Sequence, residues 1–295
     1  MTTEPIDDHG LAELRSAGLV PSPLARRGFV MTSLMSGLTL ATTRVEAQVI
    51  HTDAAGLIAG EARIPVSDEG TLPGYFARPS GVAHPPIVLV NEEVFGVHDY
   101  IKDICRRLAH LGYFAIAPEI YARLADMAKV QASELPGIIA RAPDATVMSD
   151  LDAAVSWAAS QGGDAGRLGV VGFCRGGRNT WLYDAHAPTV RAAVAFYGPV
   201  LGPRTDIQPH TPTDVAAQLH APLLGLYGGQ DANIRPADVE AAAARARAAG
   251  KTVELVIYPE APHGFHADYR PSFRPTDASD AWARMLAWFK RYGVG

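Results

Sequence analysis

Short, almost wholly apolar runs alternate along the chain with stretches whose apolar positions recur at helical spacing. Ile87-Val88-Leu89-Val90 has no polar position at all, as expected of a strand covered on both faces. Tyr113 to Ala117, Leu168 to Phe173, Ala192 to Tyr197, Leu223 to Tyr227 and Val253 to Tyr258 read as further strands. Between and after them, Tyr100 to Leu111, Ala145 to Ser160, Asn179 to Ala185, Pro236 to Ala249 and Asp277 to Arg291 read as helices. Ahead of the series, Leu57 to Pro65 and Leu72 to Arg78 flank the turn signal Ser67-Asp68-Glu69-Gly70 and predict an antiparallel hairpin. Such alternation predicts an α/β fold: a mostly parallel, doubly wound sheet with right-handed crossovers and helices on both faces. Residues 57–295 are expected to form one such domain behind an extension of residues 1–56. Ala128 to Pro143, interrupted by Pro136-Gly137, can arch over a site, and the Pro-rich Pro199 to Pro222 reads as an excursion at the strand ends.

Ligands of sheets like this bind beyond the carboxyl ends of the strands, so the residues on which the apolar runs stop carry the functional argument. The run from Leu168 stops at Gly172-Phe173-Cys174-Arg175-Gly176-Gly177. Small residues on either side of Cys174 allow a sharp strand-to-helix turn that lifts one side chain above the sheet edge. A thiol there would meet free helix N–H groups that favour a thiolate and can hold an oxyanion. A lone Cys after an apolar strand reads equally well as a small core residue. The run from Ile87 stops at Glu93, that from Leu223 at Gly228-Gly229-Gln230-Asp231, and that from Val253 just before Pro262-His263-Gly264-Phe265-His266. Nucleophile, acid and base thus fall on one sheet edge in the chain order of the α/β-hydrolases. Asp231 also suits a plain turn residue, and His266 competes with His263 for the role of base.

Hydrophobic residues make up 48% and charged residues 19%, with a net charge of −5, so nucleic acid is not an expected partner. The two cysteines, Cys105 and Cys174, form neither a dithiol motif nor a zinc spacing. Cys105 falls within a helical pattern and reads as core. No stretch reaches the length of an uninterrupted membrane span. Arg26-Arg27, Phe29, a mildly apolar stretch to Ala41 and Val45-Glu46-Ala47 follow the order of a twin-arginine export signal with cleavage near Ala47. A basic loop before a short helix is the alternative, with a cytoplasmic protein as its corollary. Nothing in the pattern sets an oligomeric state.

Asn91-Glu92-Glu93-Val94-Phe95-Gly96-Val97, Ala117-Pro118-Glu119-Ile120-Tyr121-Ala122-Arg123, Val170 to Gly177, Tyr197-Gly198, Gly228 to Asp231 and His263-Gly264-Phe265 together resemble the dienelactone hydrolase family, a cysteine-using branch of the α/β-hydrolases. The resemblance runs from about Gly60 to Gly295. It implies an α/β-hydrolase fold and a cysteine-dependent hydrolase of carboxylic esters or lactones, with no cofactor and no metal. By resemblance Cys174 is the nucleophile, His263 the base and Asp231 its orienting acid, while Glu93 contacts the thiol and helps activate it when substrate binds. The N–H groups of Val94 and Arg175 would form the oxyanion hole. Tyr121, Arg123, Tyr197 and Arg270 are candidates for contact with a small-molecule ester or lactone. The family's typical enzymes bind a substrate carboxylate with arginines, one of them soon after the catalytic histidine. Here that arginine comes later, at Arg270, behind the acidic Asp268. A thioesterase or general carboxylesterase using the same triad, or a non-catalytic binding or thiol-sensing protein on this fold, are the alternatives.

Overall fold

The computed structural model describes residues 49–67 and 70–295, so the Arg26-Arg27 pattern and the Ala47 cleavage site lie outside the described residues. β1 (Leu57–Pro65) and β2 (Thr71–Pro79) form the expected antiparallel hairpin. β3 (Pro86–Asn91), α1 (Asp99–His110), β4 (Phe114–Pro118), α2 (Leu135–Ala140), α3 (Asp144–Ser160), β5 (Asp164–Phe173), α4 (Arg175–His186) and β6 (Val190–Phe196) follow. α5 (Pro212–Val215), β7 (Leu223–Gly228), α6 (Pro236–Ala248), β8 (Val253–Tyr258) and α7 (Pro275–Arg291) complete the series. The eight strands make one sheet in the order β1-β2-β4-β3-β5-β6-β7-β8. Only β2, against β1 and β4, pairs antiparallel; β4 to β8 run parallel.

Every residue of β3 and β7 is buried, which explains the unbroken apolar runs 87–90 and 223–226 within them. The alternation of side chains along a strand divides them between two cores. Ile87 and Leu89 join a cluster with Leu151 of α3, Trp181 of α4 and Val239 of α6. Val88 and Val90 join the opposite one, with Ile104 and Leu108 of α1 and Met285 and Phe289 of α7. Cys105 sits fully buried in that second core, where burial pushes its thiol well up. The packed body starts before β1: Thr52 N–H donates to Asp103 on α1 at 2.6 Å, and Arg106 Nε donates to the Thr52 carbonyl at 2.7 Å.

Two boundaries differ from those read in the pattern. β5 begins at Asp164 because its polar first residues still pair at the sheet edge, Asp164 lying opposite Pro86. α4 begins at Arg175, well before Asn179. Gly176 and Gly177 hid that start, since glycine is a poor helix former. The segment from Ala128 to Pro143 carries α2, whose Leu135 and Ile138 are buried. The excursion from Pro199 holds α5, capped by Thr211 and Asp214. Gln208 ties the two together by donating from Nε2 to the carbonyls of Ile139 at 2.7 Å and Ala142 at 2.8 Å.

Candidate active site

Cys174 lies between β5 and α4 with φ 55° and ψ −119°, a conformation that side-chain-bearing residues rarely adopt. The turn needs bare backbone around it. A Cβ on Gly176 would stand 2.2 Å from the Asn91 carbonyl oxygen, so only glycine lets α4 start against the end of β3. Cys174 N–H donates to the Phe196 carbonyl at 3.1 Å, and its own carbonyl accepts from Gly177 N–H at 2.9 Å. The side chain is half-buried and packs against both cores.

The loop after β7 presents Asp231, and the loop after β8 presents His263. Asp231 Oδ2 meets His263 Nδ1 at 2.7 Å, while Oδ1 accepts the N–H groups of Asn233 at 2.9 Å and Ile234 at 3.1 Å. Asp231 is therefore turn residue and imidazole partner at once. With Nδ1 held by the carboxylate, the other ring nitrogen is the one available for proton transfer. Burial works against an imidazolium at His263, yet the charges of Cys174 and Asp231 and the hydrogen bonds to both outweigh it and raise the group to about 10. The ring of Tyr197 stands edge-on to His263 at 5.1 Å, held by a backbone with φ 37° at the end of β6.

Arg175 is the first residue of α4, where a helix leaves N–H groups without an intrahelical acceptor. Among the described residues neither its N–H nor that of Val94, just past β3, has a hydrogen-bond partner. Two unpaired donors thus stand at two adjacent strand ends, one of them on the residue next to Cys174.

Glu93 is fully buried, and its carboxylate is held by three side chains rather than by the thiol. Oε1 accepts from Arg270 Nη2 at 2.8 Å; Oε2 accepts from Tyr269 OH at 2.6 Å and meets His98 Nε2 at 3.3 Å. Burial opposes its charge, but Arg270, His98 and Tyr269 lower the carboxyl to about 2. Arg270 also stacks over Phe95 at 5.2 Å. The other arginine candidate, Arg123, makes a two-point pair with Asp150 at 3.0 and 2.8 Å. Tyr121 is buried beside the guanidinium of Arg175, and burial above all raises its hydroxyl to about 12. His266 is not paired with Asp231: its Nδ1 meets Tyr100 OH at 2.7 Å. Sequence reasoning missed Tyr269, His98, Tyr100 and Gln208. The first two flank Arg270 and Glu93 closely enough in the chain to have been suspected. Among the described residues no group of His, Cys, Asp and Glu could hold a metal, and no helix is long and apolar enough to cross a membrane.

The sequence model of the dienelactone hydrolase family matches residues 72–293. A protein of Methylorubrum extorquens AM1 named "Putative carboxymethylenebutenolidase" is 52% identical over 287 residues, 96% of this chain and 98% of that one. A protein of the same name from Escherichia coli K12 is 47% identical over 266 residues, covering 89% of this chain and 97% of the relative. A crystal structure from Klebsiella pneumoniae subsp. pneumoniae MGH 78578, titled as a "Putative Dienelactone Hydrolase", superposes with a TM-score of 0.78 at 50% identity, over 80% of this chain and 99% of its own. The chain belongs to the dienelactone hydrolase family, as a hydrolase of carboxylic esters or lactones built on the α/β-hydrolase sheet.

Proposed function

We propose that hydrolysis proceeds through a thioester on Cys174. The observation that carries this reading is the placement of Cys174 on the strained turn between β5 and α4, with His263 coupled to it and to Asp231 at 2.7 Å. His263 holds the proton taken from Cys174, in keeping with an imidazolium favoured up to about 10, and the sulfur attacks the ester or lactone carbonyl carbon. The carbonyl oxygen takes the negative charge and is held by the N–H groups of Val94 and Arg175. Collapse breaks the acyl C–O bond; the imidazolium gives its proton to the departing alkoxide, which in a lactone stays attached through the opened ring. Water then gives a proton to His263 and attacks the thioester; the C–S bond breaks, releasing the acid and restoring the sulfur beside the imidazolium. Glu93 reaches the thiol only by leaving the Arg270 pair, so any part it takes in activation belongs to the substrate-bound state.

The test is to quench the enzyme during turnover of an activated ester and locate the acyl group by peptide mass spectrometry. It is expected on the Cys174 peptide and absent from Cys174→Ala, which should lose turnover. Acylation of Cys105, or near wild-type turnover by Cys174→Ala, would overturn the mechanism.

A further inference from the structure

Past its last residue β3 runs into Glu92, Glu93 and Val94, and β4, its parallel neighbour, runs into Glu119, Ile120 and Tyr121. Each loop gives a carboxyl side chain to the backbone of the other. Glu92 Oε1 accepts the Ile120 N–H at 3.0 Å, and Glu119 Oε2 accepts the Val97 N–H at 3.0 Å. The two ties run in opposite directions and enclose residues 93–96 between them. Glu119 is itself anchored, since its own N–H donates to the Pro73 carbonyl of β2 at 2.8 Å. Room for its side chain depends on Gly96, at φ 79°: a Cβ there would overlap Glu119 Oε1.

Neither carboxyl is ion-paired among the described residues, and one oxygen of each, Glu92 Oε2 and Glu119 Oε1, is buried without a hydrogen-bond partner. Burial above all, and then the charge of Glu119, pushes the Glu92 carboxyl well up; the Ile120 and Tyr121 N–H groups only partly offset this. Burying two acids with a polar atom of each unsatisfied costs stability, and apolar side chains would fill the space without that cost. What the carboxyls add is a fixed register of one loop against the other. Val94 lies inside the bracket, with its side chain in the first core and its N–H unpaired. A backbone N–H that bonds nothing in the free enzyme has its direction set only by how its loop is held.

We infer that Glu92 and Glu119 are positioning residues of the hydrolysis: together they hold the loop after β3 so that the Val94 N–H stays aimed at the oxyanion. The inference rests on the reading of Cys174 as nucleophile and of Val94 as oxyanion donor. Preorganised donors act where charge develops, so a small displacement is felt in the transition state and little in the bound substrate. The two carboxyls serve as acceptors and not as charges, so a neutral amide of the same shape does the same work.

The test uses the full chain and an activated ester. Glu92→Met and Glu119→Met, which remove the acceptor at similar length, should each lower kcat about tenfold or more with KM within about threefold of wild type. Glu92→Gln and Glu119→Gln, which keep an acceptor oxygen, should hold both constants within about threefold. Alkylation of Cys174 by iodoacetamide, followed by peptide mass spectrometry, makes no oxyanion, so its rate should change by no more than about threefold in all four variants. Glu92 is fully buried, and its Met variant is the one most exposed to misfolding. Glu119→Asp is the milder lesion: one methylene short of the Val97 N–H, it should by itself lower kcat about fivefold. Unchanged turnover in the folded Met and Asp variants overturns the inference. So does a loss in a Gln variant as deep as in Met at the same position, or a fall in alkylation that matches the fall in kcat, because either marks general damage to the site. Should Cys174→Ala keep near wild-type turnover, the mechanism fails and the inference falls with it; where Cys174→Ala is inactive, the other outcomes judge Glu92 and Glu119 alone.

Discussion

His263 and His266 stand in one loop, and the positive φ of 72° at Gly264 between them turns the chain. Their surroundings are opposite in kind. His263 is held by Asp231 at 2.7 Å and coupled to Cys174, and its imidazolium is favoured up to about 10. His266 is stacked on Phe173 at 5.5 Å and on Trp282 at 5.7 Å, with Tyr100 OH as its partner. Burial, and after it the charge of Arg107, lowers His266 to about 3, which outweighs the pull of Glu93. The same side chain in the same loop is thus favoured as an imidazolium in one place and kept as a neutral aromatic in the other. What separates them is a carboxylate supplied by a different strand.

The sharpest way to break this contrast is to exchange the losses. On the mechanism proposed above, in which His263 is both base and acid, His263→Gln should lower kcat by about a thousandfold or more, whereas His266→Phe should stay within about tenfold of wild type. A larger loss in His266→Phe would reverse the assignment. Steady-state kinetics on an activated ester read both.

A second effect lies in the pH dependence of stability. His266 is depressed, so the stability gained by keeping it neutral is full above its unfolded pKa of about 6.5 and is lost as pH falls towards about 3. His263 is raised, so its contribution is full below about 6.5 and is lost as pH rises through about 10. Asp184, pushed up to about 7 by burial, works against His266 across part of the same interval, so each variant is compared with its parent. Urea unfolding at pH 5, 7 and 9.5 should show His266→Phe flattening the acid limb and His263→Gln the alkaline one. Unchanged limbs in both would show that these groups do not govern the profile.

The smallest expected effect concerns the hydroxyl that holds His266. Tyr100→Phe should cost about 1 kcal/mol by leaving a buried ring nitrogen unpaired, with kcat within about threefold. A large kinetic loss would tie Tyr100 to the Glu93 cluster instead.

The sheet was legible because its middle strands are buried on both faces and so carry unbroken apolar runs, as β3 and β7 do. The gathering of Cys174, Asp231, His263 and Glu93 on one edge followed from strand direction alone. The partner of each charge was not legible. Glu93 and Arg270 are 177 positions apart, and Arg123 meets Asp150 across 27. Such pairs are decided by where loops land after the core has formed, and no local pattern records that. Gln208 was missed for the same reason: the three hydrogen-bond partners of its side chain come from α2, the residues after α2 and the start of α4.

If turnover runs through Cys174 as proposed, the left-handed backbone there sets folding robustness against it. Glycine alone tolerates φ 55° without penalty, and relief at such a position is worth on the order of 1–3 kcal/mol. A selection that rewards only heat resistance would therefore favour Cys174→Gly and enrich sturdier proteins from which the thiol is gone. Any effort to harden this enzyme has to hold position 174 fixed and find its stabilising changes elsewhere in the chain.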